Sequence, residues 1–233
     1  QLFMGGLFFS PLYGLLTTLL CGGLLLSVRF WQEEKQKIVL RRAFSRYVSP
    51  EVVKRISKRQ GDLLAGENRE LSILFTDIRG FTSLSESLSP QDVVQLLNRY
   101  FTPMTAIVRS RQGTLDKFIG DALMAFWNAP LDVPGHPALA VDAALSMQEQ
   151  LEALNGEIEA SFGIRLAMGA GIHTGQAYVG NMGSDDLINY TLIGDNVNLA
   201  SRLEGLCKRY GAPVVVSGDP REGCGDAFAF VHP

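Results

Sequence analysis

Asp77 closes an apolar run from Leu71 to Ile78, and Asp121 lies with Gly120 between two short apolar runs, Thr114–Ile119 and Ala122–Trp127. Runs of this length read as strands, and the Gly-Asp pair joining the last two reads as a hairpin turn. Two carboxylates meeting at one end of a sheet would bind hard divalent cations; magnesium takes one or two carboxylates together with the phosphates of a substrate. A pair of such ions can activate an attacking oxygen and neutralise a leaving phosphate. Next to the first acid the chain reads Phe75-Thr-Asp-Ile-Arg-Gly-Phe-Thr82, with a turn at Gly80 and then a short helix. The free N–H groups of that helix would face the same cations and could hold a polyphosphate. Farther on, Asn198 and Arg202 are four apart in a helical stretch and so share one face, which suits a sugar oxygen and a phosphate. Taken singly, a turn Asp is ordinarily a turn former, and an Asn/Arg pair is ordinarily a solvated face.

The elements that must position these groups follow from the apolar periods. Ser89-Pro90-Gln91-Asp92 caps a long helix whose inner stripe is Val93, Val94, Leu96, Leu97, Tyr100, Phe101, Met104, Ile107 and Val108, with Gly113 closing it. Pro137–Ala160 is a second helix, with Val141, Ala144, Leu145, Met147, Leu151, Leu154 and Ile158 inward. Ile164–Thr174 and Gln176–Asn181 read as strands around Gly175, Asp195–Tyr210 as a helix with Leu199, Leu203 and Leu206 facing the core, and Pro213–Ser217 as a last strand. The fold class is α+β: a ferredoxin-like βαββαβ unit, an antiparallel sheet with two helices on one face, followed by an extra helix and strand. In that order the first strand and the hairpin are central neighbours, so Asp77 and Asp121 can meet.

Charge divides the 233 residues into three regions. Residues 1–28 carry none, residues 29–60 hold ten basic against three acidic side chains, and residues 61–233 hold 11 basic against 21 acidic. A uniformly basic nucleic-acid binder is excluded, and so is a disordered chain, since 46% of residues are apolar. Leu2 to Val28 is long enough for a spanning helix, interrupted at Pro11 and Gly22-Gly23, so 1–28 is expected to be the end of a membrane region. The basic cluster from Arg29 to Arg46 marks the cytoplasmic side. Residues 29–66 are then expected to form a cytoplasmic linker helix and a short second helix opening at Ser49-Pro50-Glu51, and 67–233 the catalytic domain. Three widely spaced cysteines and three scattered histidines give neither a disulfide framework nor a metal cluster.

Five blocks in order carry a resemblance: Phe75–Thr82, Lys117-Phe-Ile-Gly-Asp-Ala-Leu-Met-Ala-Phe126, Gly171-Ile-His-Thr-Gly175, Gly180-Asn-Met-Gly183 and Tyr190-Thr-Leu-Ile-Gly-Asp-Asn-Val-Asn-Leu-Ala-Ser-Arg-Leu-Glu204. Together they resemble the class III nucleotide cyclases from about Ser45 to Ser217. The resemblance implies that Asp77 and Asp121, with the Ile78 carbonyl, hold two Mg2+ or Mn2+, and that the backbone of Gly80, Phe81 and Thr82 lies on the phosphates. It also implies that Lys117 and Thr191 read adenine while Asn198 and Arg202 stabilise the transition state. The reaction implied is attack of the ribose 3′-oxygen of ATP on its own α-phosphorus, giving 3′,5′-cyclic AMP and pyrophosphate. In this family the two acids come from one subunit and the other four side chains from its partner, so a homodimer with shared sites is expected.

Guanine-specific relatives typically carry Glu and Cys where this chain has Lys117 and Thr191, so ATP is expected over GTP. Guanylate cyclase and a catalytically silent cyclase-like dimerisation module are the alternatives. The apolar start followed by a basic helix resembles bacterial membrane receptors with an extracellular CHASE-type sensor, which places the protein in signal transduction at the inner membrane. Two departures stand out: Gly169 where some relatives have Arg, and the absence of a final strand bearing a phosphate-binding Lys, expected beyond Pro233. His173 is expected to be structural, and Arg79 to position its loop.

Overall fold

A computed structural model describes residues 14–15, 19–24, 27, 66–184 and 188–217. The chain divides into two units, 1–48 and 49–233. In the first, the described residues are helical, and Leu15, Leu19, Leu20 and Leu24 are exposed. Among the described residues no helix is long and apolar enough to cross a membrane. The rest of the expected span, and the expected linker helices over 29–65, lie outside the described residues.

The second unit is built from β1 (Glu67–Ile78), α1 (Phe81–Glu86), α2 (Pro90–Ser110), β2 (Thr114–Ile119), β3 (Ala122–Trp127), α3 (His136–Phe162), β4 (Met168–Gly183), β5 (Ile188–Ile193), α4 (Asp195–Tyr210) and β6 (Val214–Val216). The sheet order is β2-β3-β1-β4-β5, antiparallel throughout, with β6 added parallel to β4. The first four strands have the ferredoxin-like order expected. Both faces of β1 are covered, which is why Leu71–Leu74 is buried residue by residue instead of alternating. Leu74, Leu123, Trp127 and Ile172 pack under α2 and α3, against Tyr100, Met104, Met147 and Leu151. On the other face Leu71, Ile73, Met124 and Phe126 pack under β5 and α4, against Leu192, Val197 and Ala200.

Several sequence expectations are corrected here. Val94, Leu145 and Leu199 are exposed, not inward. On α4 the buried stripe is Val197, Ala200, Leu203 and Cys207. The helix lies at backbone contact with the strand at this point: a Cβ at Gly171 of β4 would lie 2.2 Å from the Glu204 nitrogen and 2.6 Å from the Ala200 carbonyl oxygen, so the closest approach is made through Gly171 and Ala200. Helix α2 ends one residue earlier than its glycine suggested. Gln112 takes the left-handed conformation (φ 61°), and the amides of Gln112 and Gly113 close on the carbonyls of Arg109 and Val108 at 3.1 and 2.9 Å, a Schellman ending. Gly113 is instead required because a Cβ there would stand 2.7 Å from the Trp127 ring.

The two strands expected around Gly175 are one. Gly175 pairs opposite Leu71 within β4, and its missing side chain admits Asn196, whose Nδ2 would stand 2.7 Å from a Cβ at this position. Residues 164–167, expected in the strand, precede it. Strand β5, which no apolar period announced, pairs with the last six residues of β4 and completes the sheet.

Candidate active site

The register of β1 on β3 sets Thr76 opposite Leu123, and β2 meets β3 at Ile119 and Ala122. Asp77 is thereby level with the turn made by Gly120 (φ 65°) and Asp121. Crowding is visible in the acid itself: the Asp77 carboxyl is pushed up to about 7, by burial first, then by the hydrogen bond and charge of Asp121 and the charge of Glu204, with the Ile78 backbone pulling it back. A carboxyl crowded by a second carboxyl in this way is the environment in which a divalent cation can replace a proton. The donor set therefore fits a magnesium-like ion held by two carboxylates and completed by phosphate oxygens. Among the described residues no group of three His, Cys, Asp or Glu side chains is disposed to hold a metal.

Glu204 is a neighbour that motif spacing gave no reason to place here. Burial pushes its carboxyl up, Arg79 pulls it back and Asp121 raises it again. A Cβ at Gly169 would lie 2.5 Å from the Glu204 carboxylate and 3.2 Å from the Arg79 guanidinium. The glycine that departs from some relatives therefore leaves room for these two charges. Arg79 also donates to the Ala212 carbonyl at 3.1 Å, and its own amide to Ala167 at 2.8 Å, so it fastens the loop as expected.

Gly80 has φ 68° and starts α1 with no side-chain cap. The first bond back to it is from the Leu84 amide at 3.1 Å, which leaves the amides of the first turn, Phe81 and Thr82 among them, for solvent or an anion.

A second cluster forms where β5 is carried back over the sheet. Lys117 of β2 donates to the Thr191 hydroxyl at 3.1 Å, although β2 and β5 are at opposite ends of the strand order. Asp116 joins them: Thr191 donates to its carboxylate at 2.7 Å, and the Lys117 ammonium is 3.7 Å away. Burial pushes the Asp116 carboxyl up, while the Thr191 hydroxyl and Lys117 pull it down. Asp116 was not among the expected site residues, since an Asp next to a strand Lys carries no spacing signal.

Asn198 and Arg202 are on the exposed face of α4, as their spacing predicts. Neither side chain has a hydrogen bond or ion pair among the described residues. His173 is buried between Ser217 at 2.7 Å and Asn196 at 2.9 Å, which ties β4 to α4 and to the segment after β6. That is a structural role.

With this geometry in view, residues 64–217 match the family described as the adenylate and guanylate cyclase catalytic domain. The chain is 40% identical over 188 residues to adenylate cyclase 1 of Rhizobium meliloti, covering 80% of this chain and 28% of that protein. It is 39% identical over 157 residues to an adenylate cyclase of Anabaena cylindrica, covering 66% of this chain and 30% of that one. It thus spans less than a third of the length of these relatives. Among solved structures, the adenylyl cyclase CyaB from P. aeruginosa superposes with a TM-score of 0.67 at 34% identity, covering 71% of this chain and 85% of that chain. The guanylyl cyclase Cya2 gives 0.68 at the same 34% identity, covering 73% and 88%.

Proposed function

The chain belongs to the class III adenylate and guanylate cyclase family, and from that premise we propose that it converts ATP to 3′,5′-cyclic AMP and pyrophosphate at sites shared by two copies. The observation that carries the reading is the crowded pair Asp77 and Asp121, in which burial and the neighbouring acid hold the Asp77 carboxyl up to about 7. Two Mg2+ or Mn2+ held by these acids and the Ile78 carbonyl would supply an activated 3′-oxygen and charge neutralisation along the phosphates.

The chain's own residues do the rest. Amides at Gly80, Phe81 and Thr82 bind the polyphosphate at the start of α1. Lys117 and Thr191 orient the base, the ammonium donating to a ring nitrogen and the hydroxyl accepting from the exocyclic amine. Asn198 of the opposed subunit fixes the ribose, and Arg202 places a permanent positive charge where the α-phosphoryl group gains negative charge. The bond from the 3′-oxygen to the α-phosphorus forms as the bond to the departing pyrophosphate breaks, and the hydroxyl proton is lost to solvent. Positioning and charge stabilisation dominate such a step.

Similarity over the whole domain is equal for an adenylyl and a guanylyl cyclase structure, so the choice of ATP rests on residues 117 and 191. The test is cyclic nucleotide formation by the full-length protein with Mn2+ and either ATP or GTP, beside Asp77→Ala and Asp121→Ala. ATP should be turned over preferentially, and each variant should lose at least about a hundredfold of the rate. No cyclic nucleotide from either wild type or Asp77→Ala would point to a silent signalling module, turnover unchanged in Asp77→Ala would overturn the metal role of that acid, and preference for GTP would point to a guanylate cyclase.

The uncharged start, its exposed leucines and the basic cluster behind it support a membrane anchor with the catalytic domain on the cytoplasmic face. The activity, partners and location of the whole protein are part of the same proposal.

A further inference from the structure

We infer that Asp116 is a positioning residue for base specificity: it takes the hydroxyl proton of Thr191 and leaves that hydroxyl able only to accept. The inference rests on the reading that Lys117 and Thr191 face the purine.

Strand β2 carries a bulge between Leu115 and Lys117, so Asp116 has no partner on β3. A bulge breaks the strict alternation of a strand and re-aims side chains. Here Asp116 and Lys117, adjacent in sequence, both reach the same Thr191 oxygen, at 2.7 Å from the carboxylate and 3.1 Å from the ammonium. The Asp116 side chain is 1% exposed and that of Lys117 44%. A carboxylate removed from water in this way needs partners, and among the described residues Thr191 and Lys117 are those it has.

Hydrogen-bond accounting then fixes the roles. A hydroxyl has one proton and two lone pairs, a carboxylate only accepts, and an ammonium only donates. The Thr191 proton therefore goes to Asp116, one lone pair receives Lys117, and one lone pair remains for a ligand. Toward a base the cluster offers a donor at Lys117 and an acceptor at Thr191. Adenine presents the complement, a ring-nitrogen acceptor beside an amino donor, whereas guanine presents a carbonyl acceptor beside a ring N–H donor. A threonine free to rotate could turn its proton toward the guanine carbonyl. Asp116 removes that option.

The test is kcat/KM for ATP and for GTP, with Mn2+ and the full-length protein. Asp116→Asn lets an amide donate to Thr191 and frees the threonine proton, so the ATP-to-GTP ratio should fall about tenfold or more, through KM more than kcat. Asp116→Glu, which keeps an accepting carboxylate, should recover most of the ratio. In a Thr191→Val background Asp116→Asn should leave the ratio unchanged. If Thr191→Val lowers the ratio and Asp116→Asn, folded by its melting curve, does not, the role of Asp116 is overturned while the base reading stands. If Thr191→Val itself leaves the ratio unchanged, the base reading fails and takes the inference with it. Should Asp116→Asn not fold, Asp116→Ser, too short to take the proton, carries the same expectation and the same refutation.

Discussion

Without a cation, Asp77, crowded by burial and by Asp121, costs the protein stability as its proton leaves. The Asp77 carboxyl titrates near 7 in the folded chain against its usual 3.8, so folding holds that proton more tightly. The contribution is complete below about pH 4 and is lost as the pH rises to about 7. Glu204, shifted the same way, adds to this slope. His136, whose pKa burial lowers, acts in the opposite sense and loses stability as the pH falls. The difference between wild type and Asp77→Asn isolates the acid pair: in EDTA, the melting temperature of wild type should fall relative to the variant between pH 5 and 8. Mn2+ at pH 8 should restore wild type and not Asp77→Asn. Parallel melting curves for the two proteins would remove the crowded pair. At this scale most of the candidate site was legible. Asp77, Asp121, Gly80, Asn198 and Arg202 were marked by strand ends, a turn and a helical spacing, all local signals. Asp116 and Glu204 were not, because each acquires its role from a partner 75 or more residues away, Thr191 for one and the acid pair for the other.

Elements were legible where one pattern sufficed. Ser89 caps α2 as read, its hydroxyl accepting the Asp92 amide at 3.2 Å and donating to the Asp92 carboxylate at 2.7 Å. Ser89→Ala should cost about 1 kcal/mol in chemical denaturation, with activity little changed. The glycines were harder. Gly175 reads as a turn and is a close approach within β4; Gly171 reads only as part of a family block and is the contact that lets α4 lie on the sheet. Gly171→Ala must push the α4 backbone away and should cost about 3 kcal/mol or more. Gly169→Ala meets a carboxylate end that can rotate, and should cost distinctly less. Equal losses in a denaturant titration of the two variants would contradict this packing. The exposed leucine on α4 follows from the same contact: the helix faces the sheet through Val197, Ala200, Leu203 and Cys207, and Leu199 is left outside.

For the whole molecule, the proposed division of the site between two copies has its own test. Asp77→Ala and Arg202→Ala damage different halves, so each should be nearly inactive alone. Mixed in equal amounts and allowed to exchange subunits, they should recover about a quarter of wild-type activity, since about half of the dimers are mixed and each mixed dimer has one intact site. No recovery, with exchange verified, would mean that both halves act within one copy. Exposed Phe118, Ile119 and Ile193, on the strands that carry Lys117 and Thr191, are the apolar surface such a pairing would cover. Detachment by alkaline carbonate would argue against the membrane anchor proposed for residues 1–28, whereas release only by detergent is the expected result.

The sequence by itself determined the βαββαβ order, the Ser89 cap of α2 and the meeting of Asp77 with Asp121, because apolar period and turn chemistry are local and antiparallel register then follows from them. Only the tertiary structure decided that β4 runs unbroken through Gly175, that β5 is carried back until Thr191 reaches Lys117 and Asp116, and that α4 rests on glycine. Those outcomes depend on how strands and helices far apart in sequence fill the space between them. That is a property of packing volume and of satisfying buried polar groups, which no local pattern records.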